Sequence, residues 1–342
     1  MAANNRIIID SVYIDPFTDE GFKIIFGTEG QSEEILRGFL NELMKDDPLF
    51  GNIKVIRFRP TVRSRQRKGG KTIIYDVLCE TESKKRFIVE MQQEKNFNFL
   101  NRAIYYIARA LAEQGERKKG EPEWKYDPLY PVVGVFLCDF YVYGLKPKLI
   151  TRTGNMDLDE KELVGNHYRE YFIQMPEFNK TAAECVTKLD QWIYILKNMP
   201  TLEIIPFDIK HDKALKQLDK VSRVAALKEE KRRIYEANLR QKRDKLAALD
   251  TAIMEGRAKG LAEGRAEGRA EGRAEGRAEG IAEGRAEGRA EGRAEGRAEG
   301  VTEGRIEEKL SVAKAAIKMG LDNASIIKLT GLSESEVDKL KN

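Results

Sequence analysis

Asp76 and Glu90 fall in two neighbouring runs of strand character, Thr-Ile-Ile-Tyr-Asp-Val-Leu at 72–78 and Arg-Phe-Ile-Val-Glu-Met-Gln at 86–92. Strand side chains alternate with a period of two, which puts Asp76 on a face with Ile74 and Leu78 and Glu90 on a face with Ile88 and Gln92. The link at 81–85, Thr-Glu-Ser-Lys-Lys, is short and polar, as an antiparallel hairpin needs. Two carboxylates on adjacent strands among apolar neighbours are costly without a cation. A hard divalent ion, Mg²⁺ or another divalent cation, is the natural compensation.

Other chemistries are poorly served. Cys79, Cys138 and Cys185 are odd in number and widely spaced, which fits neither a disulfide framework nor a zinc site and predicts a reducing, cytoplasmic setting. His167 and His211 lie far apart without HxxxH or cysteine partners, and solitary histidines are usually surface or satisfied core residues. No apolar run approaches the roughly 20 residues of a membrane span, and the N-terminus leads into too short an apolar stretch for a signal peptide. The formal charge of +4, in a chain that is 34% charged, does not announce a partner by itself.

The elements that must position the carboxylates can be read coarsely. A helix is expected over 33–44, starting at Ser32, with Glu33 and Glu34 in the first turn where the helix dipole favours acids. A strand follows around 53–59, continuing past Pro60 to Arg65. The two carboxylate strands come next, then a helix over 98–114 and a strand over 132–137 whose unbroken apolar run predicts a sheet covered on both faces. Arg57, Arg59, Arg63, Arg65 and Arg67 all occupy odd positions, with Lys68 and Lys71 in the glycine turn beyond. A strand persisting through Pro60 would align several guanidiniums as a ridge for a phosphate backbone, or as the solvated edge of a sheet.

The order helix, three strands, helix, strand, with an acid on the second strand and Glu-x-Gln on the third, resembles the PD-(D/E)xK nuclease core. Several segments extend the likeness: Asp-Pro-Phe-Thr-Asp-Glu-Gly-Phe-Lys-Ile-Ile-Phe-Gly at 15–27, Tyr-Asp-Val at 75–77, Val-Glu-Met-Gln at 89–92, Leu-Tyr-Pro-Val at 129–132, Phe-Asn-Lys at 178–180 and Leu-Asp-Gln-Trp at 189–192. Together, over about residues 10–210, they resemble the Rpn family of recombination-promoting nucleases, often labelled transposases. The resemblance implies an α/β restriction-endonuclease-like core and a metal-dependent DNA endonuclease with a role in recombination or DNA mobility. A catalytically weak DNA-binding or assembly protein that retains the fold is the alternative. Asp76 and Glu90 would hold the metal, with the Met91 backbone carbonyl as a third donor and Glu34 as a further carboxylate from the first helix. Gln92 stands where many relatives have lysine; its neutral amide can orient water or a phosphate oxygen but cannot ionise, so the metal would supply most of the activation. Lys23 would contact DNA phosphate, or lay its stem on Phe22. Arg102, with Tyr105 and Tyr106 one turn on, would lie beside Glu90, either supporting the site or packing into the core.

Composition divides the chain. All ten prolines precede residue 211, which marks 1–210 as the globular domain. Residues 211–254 read as a charged helical connector, and a Glu-Gly-Arg-Ala repeat occupies 255–305. A four-residue period advances about 40° per repeat on a helix, so no face stays apolar, and each glycine costs about 1 kcal/mol relative to alanine. A marginal exposed helix is expected there, serving as a spacer, as a glycine seam for self-association, or as a nucleic-acid arm. The tail at 306–342 resembles a helix-turn-helix around Thr-Gly-Leu-Ser at 330–333, with Ser333 and Glu336 as a capping box. Acids on its last helix make a protein-binding or dimerising unit, and so a homo-oligomer, an equal alternative to a DNA reader.

Overall fold

Helix α1 (Asp19–Phe22) runs directly into a single π-helical turn, Lys23–Gly27, and α2 (Glu33–Leu43) follows. Thr18 starts α1 by accepting the Gly21 N–H on its side-chain oxygen at 3.1 Å. Next come β1 (Ile56–Phe58), β2 (Val62–Arg63), β3 (Ile73–Ile74), β4 (Val77–Thr81) and β5 (Arg86–Gln92), then α3 (Phe99–Ala112). Strands β6 (Val132–Cys138), β7 (Ile150–Gly154) and β8 (Tyr168–Gln174) complete the sheets, and α4 (Lys188–Asn198), α5 (Lys213–Val221), α6 (Glu229–Lys318), α7 (Asn323–Thr330) and α8 (Glu334–Lys341) complete the chain. The computed structural model describes residues 11–47, 50–63, 72–93, 95–115 and 128–341. It comprises two units, Met1–Leu249 and Asp250–Asn342.

The first unit is built on a six-stranded sheet in the order β1-β4-β5-β6-β8-β7. Strands β5, β6 and β8 are parallel and the outer pairings antiparallel. The apolar run of β6 is buried along its whole length, as a strand covered on both faces must be. On one face Val77, Val89, Met91, Val135 and Ile173 pack with Phe26, Leu36, Phe39 and Trp192. On the other, Leu78, Ile88 and Val132 meet Ile107 and Ala110 of α3, and Phe136 and Phe172 meet Phe99 at its start. The fold is therefore the expected mixed α/β nuclease core of helix, three strands, helix and strand, extended by β8 and β7.

Two strand expectations are corrected. The strand expected to run from 53 through Pro60 to Arg65 stops: β1 ends at Phe58, and Val62–Arg63 pairs instead with β3 in a separate two-stranded sheet. Proline has no N–H for the ladder, and the Arg59 N–H to the Leu78 carbonyl at 2.8 Å is the last bond before it. The run at 72–78 is likewise two strands, β3 and β4, with a bend at Asp76 between them. Ile74 is thus exposed whereas Leu78 is buried.

Helices α2 and α5 approach closely at Gly38, where an added Cβ would lie 2.4 Å from the Ala214 Cβ and 3.3 Å from Trp192. Gly38→Ala is therefore expected to destabilise the first unit by about 1–3 kcal/mol through overpacking, despite the better helix propensity of alanine. Thermal unfolding measures this, and a raised Tm would contradict the close approach.

The charged connector expected at 211–254 is helical, and its early part packs into the first unit through Leu215, Leu218 and Tyr235. In the second unit the repeat is helical and exposed throughout, with open space around every glycine from Gly256 to Gly304. The end of α6 joins α7 and α8 around Ala313, Ala316, Ile326, Leu332 and Val337. Gly331, at φ +63°, ends α7 in the left-handed conformation. The Ser333 N–H donates to the Glu336 carboxylate at 2.8 Å, one half of the expected capping box.

Candidate active site

The β4–β5 hairpin sets the site. Its last paired residues are Val77 and Val89, so one step further the register faces Asp76 with Glu90. Because the chain bends at Asp76, its N–H is not used by the strand ladder and donates to Glu90 Oε1 at 3.0 Å. Reciprocally, the Met91 N–H donates to Asp76 Oδ2 at 3.1 Å. Each carboxylate is thus oriented by the backbone of the other's strand. Glu90 shares its face with Ile88, toward α3, and is only 1% exposed, while Asp76 is half-buried.

Helix α3 closes the other side. Arg102 donates from Nη2 to Glu90 Oε2 at 3.4 Å and from Nη1 to Gln92 Oε1 at 3.2 Å. Gln92 Nε2 stands 3.4 Å from the same Glu90 oxygen. Tyr106 holds Arg102 in place, accepting from Nε at 3.0 Å beneath a guanidinium 5.1 Å from its ring centre, and packs edge-on against Tyr75. Tyr105, by contrast, is exposed.

Burial, and then the charge of Asp76, push the Glu90 carboxyl up to about 8, against the opposing pull of the Asp76 N–H and Arg102. Burial also raises Asp76, with the Asp19 charge adding to it while the Met91 N–H, Arg102 and Lys23 pull it down. Two desolvated acids face each other with one half-exposed guanidinium, that of Arg102, against Glu90, so burial and mutual repulsion keep both from ionising together. Among the described residues no group of three or more His, Cys, Asp or Glu side chains gathers as a metal cage. Two hard oxygen donors without a full cage suit Mg²⁺, which binds through one or two carboxylates and keeps water for its other positions. The residues present therefore fit a divalent cation.

Asp19 is the acid that sequence reasoning missed. Its signal lay in the segment 15–27, where Asp19 and Lys23 stand one helical turn apart and both act on Asp76. That segment is gripped by the start of α6. The Asp15 N–H donates to the Tyr235 hydroxyl at 2.8 Å, the Glu20 N–H to Asn238 Oδ1 at 2.8 Å, and Lys242 Nζ to Asp15 Oδ2 at 2.7 Å. Gly27 closes the turn against Val77, where an added Cβ would lie 3.4 Å from that side chain.

The remaining candidates scatter. Glu34 is corrected: it pairs with Arg37 on α2 and lines a groove with Lys54, Lys188 and His211, because α2 covers the sheet face opposite the one that carries Glu90. The arginine ridge is corrected too, since the strand that would align it breaks at Pro60. Arg57 is exposed, and Arg59 is ion-paired with Glu80 at 2.8 Å. The backbone of Arg63 belongs to β2, while Arg65, Arg67, Lys68 and Lys71 lie outside the described residues. Lys23 is exposed. Arg102, expected at DNA, is engaged with Glu90 and Gln92.

A mixed six-stranded sheet with helices on both faces has the architecture of the PD-(D/E)xK nuclease fold. The PD-(D/E)XK nuclease family transposase model matches residues 16–252, and the chain belongs to that family. The C-terminal helix-turn-helix domain of the Rpn/YhgA-like nuclease family matches residues 307–342. No curated protein and no solved structure matches the chain. Among the described residues no helix is long and apolar enough to cross a membrane.

Proposed function

We propose that this chain is a metal-dependent DNA endonuclease that hydrolyses phosphodiester bonds, with Asp76, Glu90 and the Met91 carbonyl holding Mg²⁺ and with a role in recombination or DNA mobility. The observation that carries the reading is the reciprocal clasp of half-buried Asp76 and buried Glu90, each oriented by the other's backbone. When bound, the metal supplies Lewis acidity, lowering the pKa of a water and stabilising the charge that develops on phosphate. The chain's own residues do the rest. Burial around Glu90 keeps bulk water away, Gln92 offers an amide to orient water or a phosphate oxygen, and Arg102 holds Gln92 and Glu90 together. Lys23 stands exposed beside Asp76, where a phosphate would approach.

Mg²⁺-dependent nicking or linearisation of plasmid DNA by the purified protein tests this. Cleavage is expected in Mg²⁺ and not in EDTA. A rate equal in both conditions would reject the metal.

The second reading is a DNA-binding or assembly protein that keeps the nuclease fold. It is favoured by the neutral Gln92 and by the Arg102–Glu90 ion pair, which already engages one metal-facing carboxylate. Salt-sensitive DNA binding without cleavage would support it.

Gln92→Lys discriminates further. An ammonium in the place of the Gln92 amide would sit close to Glu90 Oε2, and a cation at that range lowers a carboxylate pKa by about 1–3. The acid limb of the cleavage–pH profile is expected to move down by about one pH unit. An unmoved limb would mean that Glu90 does not control it.

A further inference from the structure

Two segments beside the carboxylates present aromatic rings that the core does not use. Phe97 is 69% exposed and Tyr143 63% exposed, and their rings meet edge to face with centroids 5.4 Å apart. Phe97 lies between Gln92 and Arg102 in the chain, in the link from β5 to α3. Tyr143 follows β6, the parallel neighbour of β5, and the Asp139 N–H ties the two strand ends together through the Gln92 carbonyl at 2.9 Å. Both segments thus leave the carboxyl edge of adjacent parallel strands, where open α/β sheets hold their ligands.

The second segment is firmly built. Buried Gln174 accepts the Val142 N–H and donates to the Lys146 and Lys148 carbonyls, each at 2.9 Å. Phe140 packs on Phe99 at 5.8 Å, and Gly144, at φ +91°, lets the backbone pass Leu100, whose Cδ1 would stand 3.1 Å from an added Cβ. A backbone held this tightly, yet displaying its ring to water, gains little folding energy from that ring, and exposed aromatics grouped in this way mark binding surfaces. The charge is basic on balance: residues 94–98 and 139–149 contain Lys95, Lys146 and Lys148 against Glu94 and Asp139. Glu177 engages the hydroxyl of the nearby Tyr141 rather than either ring of the pair.

We infer that Phe97 and Tyr143 form a stacking platform for unpaired bases of a DNA strand, whose backbone passes Lys95, Lys146 and Lys148 on its way to Asp76 and Glu90. Resting on the nuclease reading, this names the substrate class: DNA with a single-stranded or unstacked stretch at the cleavage point. Every base has a π-face for such a platform, whereas a fully stacked duplex hides them.

The test is fluorescence anisotropy of the full chain with labelled oligo-dT of about 20 nucleotides and with a duplex of the same length, both in EDTA. One stacked base is worth about tenfold in affinity. Phe97→Leu/Tyr143→Leu is expected to weaken oligo-dT binding about tenfold or more and to leave duplex binding within about twofold, with an unchanged melting curve. Tyr143→Phe, which keeps the ring, should bind oligo-dT as the wild type does and serves as the folded control. Equal losses on both DNAs, no loss on either, or a Tyr143→Phe defect as large as that of the double variant would overturn the platform. Plasmid cleavage in Mg²⁺ is scored separately. Cleavage by a wild type whose oligo-dT affinity ignores the rings sinks the platform alone. Ring-dependent binding by a protein that never cleaves sinks the nuclease reading alone.

Discussion

Asp76→Ala and Glu90→Ala are each expected to slow Mg²⁺-dependent DNA cleavage by about a thousandfold or more, while DNA affinity in EDTA stays within about threefold. The magnitude follows from what a metal contributes: several kcal/mol of transition-state stabilisation, at about 1.4 kcal/mol per factor of ten in rate. Neither substitution removes the hydrogen bond of the remaining carboxylate, because its partner is a backbone N–H, that of Met91 for Asp76 and that of residue 76 for Glu90, so the loss reports the missing carboxylate itself. Both residues would act through one ion, so the double variant should be little worse than either single one. Calorimetric titration with Mg²⁺ or Mn²⁺ should lose its binding heat in parallel. A single variant that keeps more than about a tenth of the wild-type rate removes that residue from the metal-binding assignment.

Glu90→Gln should separate stability from activity, and pH is the means. In the folded chain Glu90 holds its proton up to about 8, whereas in the unfolded chain it releases it near the ordinary 4.5. The folded state therefore binds more protons across that window. This contribution to stability is complete below pH 4.5 and is lost as the pH rises through 8. Asp76, also raised by burial, adds to the same trend. In EDTA the wild type should lose on the order of a few kcal/mol between acidic and mildly basic pH from this source, because each tenfold difference in proton affinity between the folded and unfolded chain is worth about 1.4 kcal/mol. Glu90→Gln cannot titrate, so the difference between the two stability–pH profiles isolates the effect. The variant should be the more stable protein at pH 8 and the less active one. Mg²⁺ competes with the proton, so it should stabilise the wild type most at pH 8 and leave the variant unaffected. Parallel profiles for the two proteins would show that Glu90 is not the buried titrating acid.

Both predictions turn on residues that a linear reading could find, though not wholly for the right reasons. Alternation within 86–92 correctly put Glu90 on the face of Ile88, and the short polar link correctly indicated the hairpin. The same alternation failed for Asp76, which lies at a bend rather than within a strand, and that bend frees the N–H that reaches Glu90. Glu34 looked suitable because it begins a helix, but a helix can lie on either face of a sheet, and local pattern does not say which. Asp19 was overlooked because nothing local relates α1 to a strand more than fifty positions later in the chain.

What the sequence determined by itself was the inventory and its periodicities. The buried run of β6, the acid-bearing hairpin, the helix after it, the exposed repeat and the capped tail all follow from side-chain spacing and backbone propensity, which act over a few residues. What only the tertiary structure decided was which groups meet. Arg102 reaches Glu90 and Gln92, Lys242 grips Asp15, and Phe97 finds Tyr143, because parallel strands and covering helices bring distant segments together. Pro60 decided the reverse case: with no N–H for the ladder, β1 ended at Phe58 and Val62–Arg63 paired with β3 instead of continuing the strand that alternation alone would have drawn.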